Sequence, residues 1–148
     1  MELKIRRFNE LTTYELFHFL KARVDVFVVE QKCPYPEIDD TDLEAVHLFY
    51  ENSDGTTAAY LRIFPKKDEP GTLRVGRVLT TRRMAGLGAK LLCEAVQYIE
   101  GKTDAEEIYL EAQTYAVGFY QREGFSVSSV EFMEDGIPHV QMRRTVQR

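Results

Sequence analysis

The chain has 148 residues, of which 44% are hydrophobic and 29% are charged, and its net charge is −5. This length and composition predict one globular domain, spanning residues 1–148, with a core of its own. The acidic balance argues against a nucleic-acid partner, and no apolar run approaches the roughly 18 residues that a membrane span needs.

The N-terminus and the cysteines indicate the cellular compartment in which the protein resides. Met1–Arg7 lacks the apolar segment of a secretory signal peptide. Cys33 and Cys93 lie far apart in the sequence, and Cys93 falls on the apolar face of a predicted helix. We therefore expect no disulfide and a cytoplasmic protein.

In chain order, the first half of the sequence predicts a strand, a helix and a β-hairpin. Thr12, followed three residues later by Glu15, has the spacing of a capping box, and apolar residues then recur at helical spacing. The β-branched residues around Val24–Val29 leave the end of this helix open. The predicted elements are the strand Leu3–Phe8, a helix from Leu16 toward Val28, the proline-containing loop Gln31–Asp42, and the strands Ala45–Tyr50 and Thr57–Phe64, which flank the turn Asn52–Gly55.

The second half alternates strands and helices before a closing hairpin. Because a helix joins the strands Thr72–Thr81 and Glu107–Glu111, they are predicted to be parallel neighbours. The order of elements predicts an α+β fold with a mixed sheet. The remaining elements are the helix Gly86–Glu100 with a stop at Gly101, the short helix Tyr115–Glu123 with a stop at Gly124, and the strands Phe125–Phe132 and His139–Arg143 around Asp135-Gly136.

One turn between these elements has a composition suited to binding a ligand. Arg83-Met84-Ala85-Gly86-Leu87-Gly88 connects a strand to a helix. Glycine lets the backbone approach a ligand closely, and the unpaired N–H groups of a helix start favour an anion. The turn therefore predicts a phosphate site, with Arg83 adding positive charge. The alternatives are a close helix–sheet contact without a ligand, and a P-loop, which the lack of Gly-Lys-Ser/Thr after the turn disfavours.

The same turn resembles a family motif. Arg83, Gly86 and Gly88 match the Gln/Arg-x-x-Gly-x-Gly/Ala pattern of the GCN5-related N-acetyltransferases, the GNAT family. The segment Phe119–Phe125, with a tyrosine before Gly-Phe, resembles a later segment of that family. The segment Arg77–Arg83 departs from the family by being slightly shorter, which could shift backbone contacts to the coenzyme.

Three further stretches narrow the resemblance to the ElaA-type acetyltransferases. They are Val26–Tyr35, Glu111–Gln113 and Glu134–His139. Together with the glycine turn they extend the resemblance over essentially the whole chain. The resemblance implies a GNAT-like sheet that is mostly antiparallel and splays between its two parallel strands.

The resemblance also implies acetyl-CoA as the co-substrate. Backbone N–H groups of the glycine turn would bind its diphosphate, and the strand before the turn would bind its pantetheine arm. Tyr120 matches the family tyrosine near the coenzyme sulfur and is assigned as the general acid; the alternative is a core aromatic residue. The implied coenzyme-binding residues are Val78, Leu79, Thr80, Arg83, Met84, Ala85, Gly86, Leu87, Gly88, Gln113 and Tyr120.

The base and the acceptor site are less well determined by the sequence. Glu111, at the end of a strand facing the splay, is assigned as the base; the alternative is an exposed strand-end carboxylate. The acidic loop that follows Glu30 and contains Glu37 could attract a cationic amine, or could simply be solvated. His47 and His139 each open a strand and could border the acceptor pocket, although a structural role is the commoner one.

Two functions remain open on this basis. The first is an acetyl-CoA-dependent N-acetyltransferase in which a primary amine attacks the thioester directly. The second is a coenzyme-binding sensor or interaction module without transfer activity. No metal is expected, since Asp39-Asp40-Thr41-Asp42 lacks the spacing of a calcium loop. A homodimer is also possible, because the last strands could pair across two copies of the chain.

Overall fold

One mixed sheet forms the centre of the molecule. The computed structural model describes residues 1–32, 35–81 and 86–148. In these ranges the strands are β1 Glu2–Arg7, β2 Val46–Glu51, β3 Thr57–Pro65, β4 Thr72–Thr80, β5 Glu107–Gln113, β6 Ser126–Val127, β7 Phe132–Glu134 and β8 Ile137–Thr145. Their order is β1-β2-β3-β4-β5-β8-β6, with β7 also beside β8. The β4–β5 pair is parallel and the other pairs are antiparallel, as the sequence predicted.

Helices cover both faces of the sheet. They are α1 Thr13–Arg23, continued by the π-helical segment Val24–Glu30, then α2 Thr41–Glu44, α3 Leu87–Lys102 and α4 Val117–Gln121, with short 3-10 turns at Phe8–Glu10 and Thr114–Ala116. The capping box at Thr12 and Glu15 forms as predicted. The β-branched residues after Arg23 continue the helix with a wider turn, so that the Gln31 N–H bonds the Val26 carbonyl at 3.3 Å.

Alternation along the strands divides the core between these helices. Leu48 and Leu61 face α3 within the larger core, whereas Phe49 and Tyr60 face Phe19 of α1 on the other side of the sheet. Because neighbouring residues of a strand point to opposite faces, β2 and β3 are buried on both sides. These strands form the rigid base on which the neighbouring strand β4 is held.

Two predicted elements are corrected by the structure, besides shifts of a residue or two at the ends of others. Helix α3 continues through Gly101 to Lys102, and the Thr103 hydroxyl then donates to the Ile99 carbonyl at 2.7 Å, which satisfies the last turn. The predicted strand Phe125–Phe132 is split into β6 and β7, because the Ser129 hydroxyl accepts the Gln141 N–H that a backbone carbonyl would otherwise take.

The parallel strands separate shortly after they begin. Thr72, Leu73 and Arg74 of β4 pair with the first three residues of β5. Beyond Arg74, β4 stays paired with β3 and β5 stays paired with β8, but the two strands no longer pair with each other. The sheet therefore opens into a wedge whose walls carry main-chain groups without a neighbouring strand.

Candidate active site

The wedge holds a cavity of about 990 Å³. Its walls come from β4, β5, the start of α3, the segment that contains α4, and the β7–β8 hairpin. Of the predicted coenzyme residues, the cavity is lined by Val78, Leu79, Thr80, Gly86, Gly88, Gln113 and Tyr120. Arg83, Met84 and Ala85 lie outside the described residues. Leu87 begins α3, and its side chain is buried in the core.

A β-bulge shapes the β4 wall. Arg77 and Val78 together oppose the single residue Leu61 of β3, and Arg77 has a φ of +53°. A bulge adds one unpaired residue and bends its strand, so β4, already unpaired from β5 beyond Arg74, changes direction here. The Arg77 side chain is held by Glu37, whose carboxylate accepts from Nε at 2.7 Å. The bulge and this ion pair fix the strand that the sequence analysis assigned to the pantetheine arm.

The start of α3 has the geometry of an anion site. Gly86 precedes the helix with a φ of +82°, and a Cβ added there would meet no atom of the described residues within 4 Å. The first intrahelical bond runs from the Lys90 N–H to the Gly86 carbonyl at 2.9 Å, so the earlier N–H groups have no partner within the helix. A Cβ at Gly88 would instead lie 3.4 Å from Thr80. Gly86 thus leaves room for a ligand, and Gly88 allows a close helix–strand contact.

Tyr120 combines burial with an unbonded hydroxyl. The residue is 9% exposed, lines the cavity and packs its ring edge-on against Phe119 and Phe125. No described residue forms a hydrogen bond with its hydroxyl. Burial raises the pKa of Tyr120, because the phenolate would be poorly solvated. The Gly124 N–H bonds the Gln121 carbonyl, and the Phe125 N–H bonds the Tyr120 carbonyl, so a Schellman motif ends α4 where predicted.

Glu111 faces the cavity with both carboxylate oxygens engaged. Oε1 lies 3.1 Å from the Arg74 guanidinium, and Oε2 accepts from the Tyr109 hydroxyl at 2.5 Å. Its side chain also neighbours that of Glu134, at the end of β7. The structure thus brings Glu111 to the cavity, as expected for the base, but pairs it with a cation and a phenol.

His139 and Gln113 also lie on the wall. His139 Nδ1 is 2.7 Å from the Ile137 carbonyl, which can only accept, so Nδ1 carries a proton. Its Nε2 lies 4.0 Å from the Glu134 carboxylate. The Gln113 amide donates to the Gln31 side chain at 3.4 Å, which links the end of β5 to the end of the π-helical segment.

The acidic loop differs from the expected solvated or amine-attracting loop. Three carboxylates, Glu37, Asp39 and Asp42, are matched by three arginines from α1, β3 and β4, namely Arg23, Arg62 and Arg77. Glu37 is buried and does not line the cavity. Its predicted role in binding a cationic acceptor is therefore corrected to an ion-pair role: it accepts from two arginines and from the Tyr35 hydroxyl.

Two more acceptor-site predictions are placed elsewhere by the structure. Glu30 is exposed at the end of the π-helical segment and does not line the cavity. His47 is fully buried, stacks on Phe19, and lies between the Tyr60 hydroxyl at 2.6 Å and the Asp42 carbonyl at 2.9 Å. Burial lowers the pKa of His47 and favours the neutral ring. Its position supports a structural role, the alternative already noted for a lone histidine.

Arg74 and Glu134 are cavity residues that the sequence analysis did not single out. The sequence held one signal for Glu134, which begins the stretch Glu134–His139 used in the resemblance. Nothing local marked Arg74, because its position against Glu111 depends on the parallel pairing of β4 with β5.

Comparison with known proteins identifies the family. The model of the acetyltransferase (GNAT) domain matches residues 17–146. The chain belongs to the GNAT acetyltransferase family. Its relatives include a UPF0039 protein of Schizosaccharomyces pombe, 39% identical over 97% of this chain and 96% of that protein. Another is ElaA of Escherichia coli, 34% identical over 93% of this chain and 92% of that protein.

Solved structures agree with this GNAT assignment. An acyl-CoA N-acyltransferase from Pseudomonas aeruginosa matches with a TM-score of 0.89 and 38% identity, covering 97% of this chain and 99% of that one. Escherichia coli ElaA matches with a TM-score of 0.89 and 33% identity, covering 97% and 98%. These comparisons confirm the predicted ElaA-like resemblance and the mixed acyltransferase fold.

As a GNAT member the protein is an acyltransferase that takes a substrate of the acyl-CoA class and an acceptor. The open wedge and the space beside Gly86 fit such a coenzyme. In the described part of the chain, no helix has the length and apolar character to cross a membrane. Among the same residues, no group of three or more His, Cys, Asp or Glu side chains could hold a metal ion.

Proposed function

We propose that the protein transfers an acetyl group from acetyl-CoA directly to a primary amine. The observation that carries the proposal is the cavity between β4 and β5. It joins a helix start suited to a diphosphate, a strand edge suited to pantetheine, and the free hydroxyl of Tyr120. These features correspond to the diphosphate, the pantetheine arm and the thioester of an acyl-CoA molecule.

The chain would hold the coenzyme mainly through its backbone. The N–H groups of Leu87 and Gly88 precede the first intrahelical bond of α3 and are available to phosphate oxygens. Main-chain groups of Val78–Thr80 lie on the edge of β4 that β5 leaves unpaired. Such an edge can bind an extended amide-containing chain as an added strand would be bound.

The reaction needs a neutral amine and a protonated sulfur. An alkylammonium with a pKa near 10.4 is neutral in only about one molecule in 2,500 at pH 7, so a carboxylate at the cavity assists the reaction by taking its proton. The bound thioester supplies an acyl group with a thiolate leaving group. Tyr120 stays protonated at neutral pH, because burial raises its pKa, and it can donate to the departing sulfur.

Coenzyme binding at the α3 start is tested with the Gly86→Ala variant. The new methyl group occupies the space left for the ligand, so we expect acetyl-CoA affinity to fall at least about tenfold, or about 1.4 kcal/mol. At 100 times its Kd, acetyl-CoA should stabilise the wild type by about 2.7 kcal/mol, and the variant by correspondingly less. Thermal unfolding with and without acetyl-CoA measures both values.

Gly71→Ala is the matched control. Gly71 has a φ of +85°, and an added Cβ there would also meet no atom within 4 Å in the part of the chain that the structure describes. Gly71 does not line the cavity. Both variants should lose about 1 kcal/mol from backbone strain, but only Gly86→Ala should lose coenzyme-dependent stabilisation. Equal stabilisation of the two variants would argue against this site. Stabilisation of the wild type by acetyl-CoA without turnover of any amine in a broad panel would favour the sensor function.

A further inference from the structure

A cluster of titratable side chains lines the cavity where β4, β5 and the β7–β8 hairpin meet. Its members are Arg74 of β4, Glu111 of β5, Glu134 of β7 and His139 of β8. Two carboxyl groups and one guanidinium leave an excess of negative charge when both carboxyl groups are ionised. An alkylammonium entering the cavity would balance it.

Glu111 is poorly suited to take a proton from the acceptor. One of its oxygens is paired with the Arg74 guanidinium at 3.1 Å, and the other accepts from the Tyr109 hydroxyl at 2.5 Å. These two contacts tether the carboxylate to β4 and to its own strand, so it is less free than an exposed side chain to reach an acceptor. Glu111 is therefore held in position on the cavity wall.

Glu134 has the opposite properties. Its side chain is 48% exposed, it ends β7 next to the Asp135-Gly136 turn, and it forms no ion pair with a guanidinium of the described residues. Partial burial, the negative charge of Glu111 and a hydrogen bond between the two carboxyl groups raise the pKa of Glu134, against the weaker opposing charges of His139 and Arg74. A carboxylate with a raised pKa is the better base near neutral pH.

His139 can accept the proton that Glu134 takes from the acceptor. Because Nδ1 donates to the Ile137 carbonyl, the neutral ring presents an unprotonated Nε2 toward Glu134. The 4.0 Å separation between Nε2 and the Glu134 carboxylate can be closed by a small rotation of the exposed glutamate. The β7–β8 hairpin thus places two proton acceptors, Glu134 and His139, next to each other on the cavity wall.

We propose that Glu134 is the catalytic residue that takes the proton from an alkylammonium acceptor, with Glu111 as its positioning residue. The inference rests on the proposed acetyl transfer. The ammonium gives one proton to the Glu134 carboxylate, and the nitrogen lone pair then forms the C–N bond as the C–S bond breaks. The sulfur keeps the electron pair of that bond and takes a proton from Tyr120. The second proton of the nitrogen restores Tyr120 through solvent.

The Glu134→Gln variant separates this role from a structural one. With n-butylamine at pH 7, kcat/KM should fall about 10²-fold, while hydroxylamine, which is already neutral, should lose no more than about threefold. Glu131→Gln, an exposed substitution just before β7, should leave both rates unchanged. Equal losses with the two acceptors, or no loss with n-butylamine, would overturn the inference.

A second readout does not depend on turnover. In the free protein, the ¹³C carboxyl resonance of Glu134 should shift saturably as n-butylammonium chloride is added, and Glu131→Gln should not alter that response. A carboxyl resonance indifferent to the cation would contradict the role of Glu134, whatever the activity. A wild type that responds to the cation yet acetylates neither amine would keep the ammonium site and overturn the proposed transfer instead.

Discussion

The Tyr120→Phe variant should lose about 10²-fold in kcat with a primary amine while its Kd for acetyl-CoA stays within about twofold of the wild type. The variant removes only the oxygen that would donate to the departing sulfur. The ring remains packed against Phe119 and Phe125. Steady-state release of free thiol, together with calorimetric titration of the coenzyme, measures the two constants.

A structural explanation of that loss can be excluded in the same experiment. Since no described residue bonds the Tyr120 hydroxyl, its removal should change the free energy of unfolding by no more than about 0.5 kcal/mol. Tyr14→Phe, which removes an exposed hydroxyl from α1, should leave kcat unchanged. A Tyr120→Phe enzyme with wild-type kcat would show that the leaving sulfur obtains its proton elsewhere.

Replacing Arg23 with methionine should destabilise the fold by about 3–5 kcal/mol. Arg23 is fully buried and donates to the carboxylates of Glu37 at 2.7 Å and Asp42 at 2.6 Å. Without it, the cationic partners left among residues 1–32, 35–81 and 86–148 are Arg77 for Glu37 and Arg62 for Asp42. Urea unfolding at pH 7 measures the difference.

Lys21→Met is the control for this prediction. Lys21 lies on the same helix and pairs with Asp25 at 2.9 Å, but both side chains are more than half exposed. Solvent screens such a pair, so its loss should cost at most about 0.5 kcal/mol. If the Arg23 and Lys21 variants were equally stable, the buried network would not be holding the loop after the π-helical segment.

The acidity of the network sets the pH at which this stability disappears. Burial opposes ionisation of Asp42, but the hydrogen bonds and charges of Arg23 and Arg62 outweigh it and lower the pKa of Asp42. A carboxyl group with a lowered pKa in the folded state stabilises the protein above its ordinary value near 3.9. That contribution is lost progressively as the pH falls from that value through the lowered folded pKa, because in this range the unfolded chain takes up a proton that the folded state does not.

Local chemistry made much of the fold predictable from the sequence. The capping box at Thr12 and the turn at Asp135-Gly136 form because their side chains and backbone preferences act over a few residues; both turn residues have positive φ, at 52° and 75°. The strand–helix–strand order determined the parallel pair, and the position of Tyr120 before Gly124 and Phe125 placed it on a short helix. These features need no knowledge of distant partners.

Features that depend on distant partners were not predictable in this way. The acidic loop looked solvated because its carboxylates are separated by many positions from Arg23, Arg62 and Arg77, which neutralise them. His47 looked like a pocket residue because its burial depends on Phe19 of a different element packing over it. The sheet topology decides which side chains that are remote in sequence come together. The local sequence pattern indicates the strands and helices but not these contacts.

The most direct test of the account is a crystal structure of the protein with acetyl-CoA bound. The diphosphate should lie at the N–H groups that begin α3, beside Gly86, and the pantetheine arm should lie along Val78–Thr80. The sulfur should lie within about 3.5 Å of the Tyr120 hydroxyl. A coenzyme bound outside the wedge between β4 and β5, or bound there with its sulfur remote from Tyr120, would contradict it.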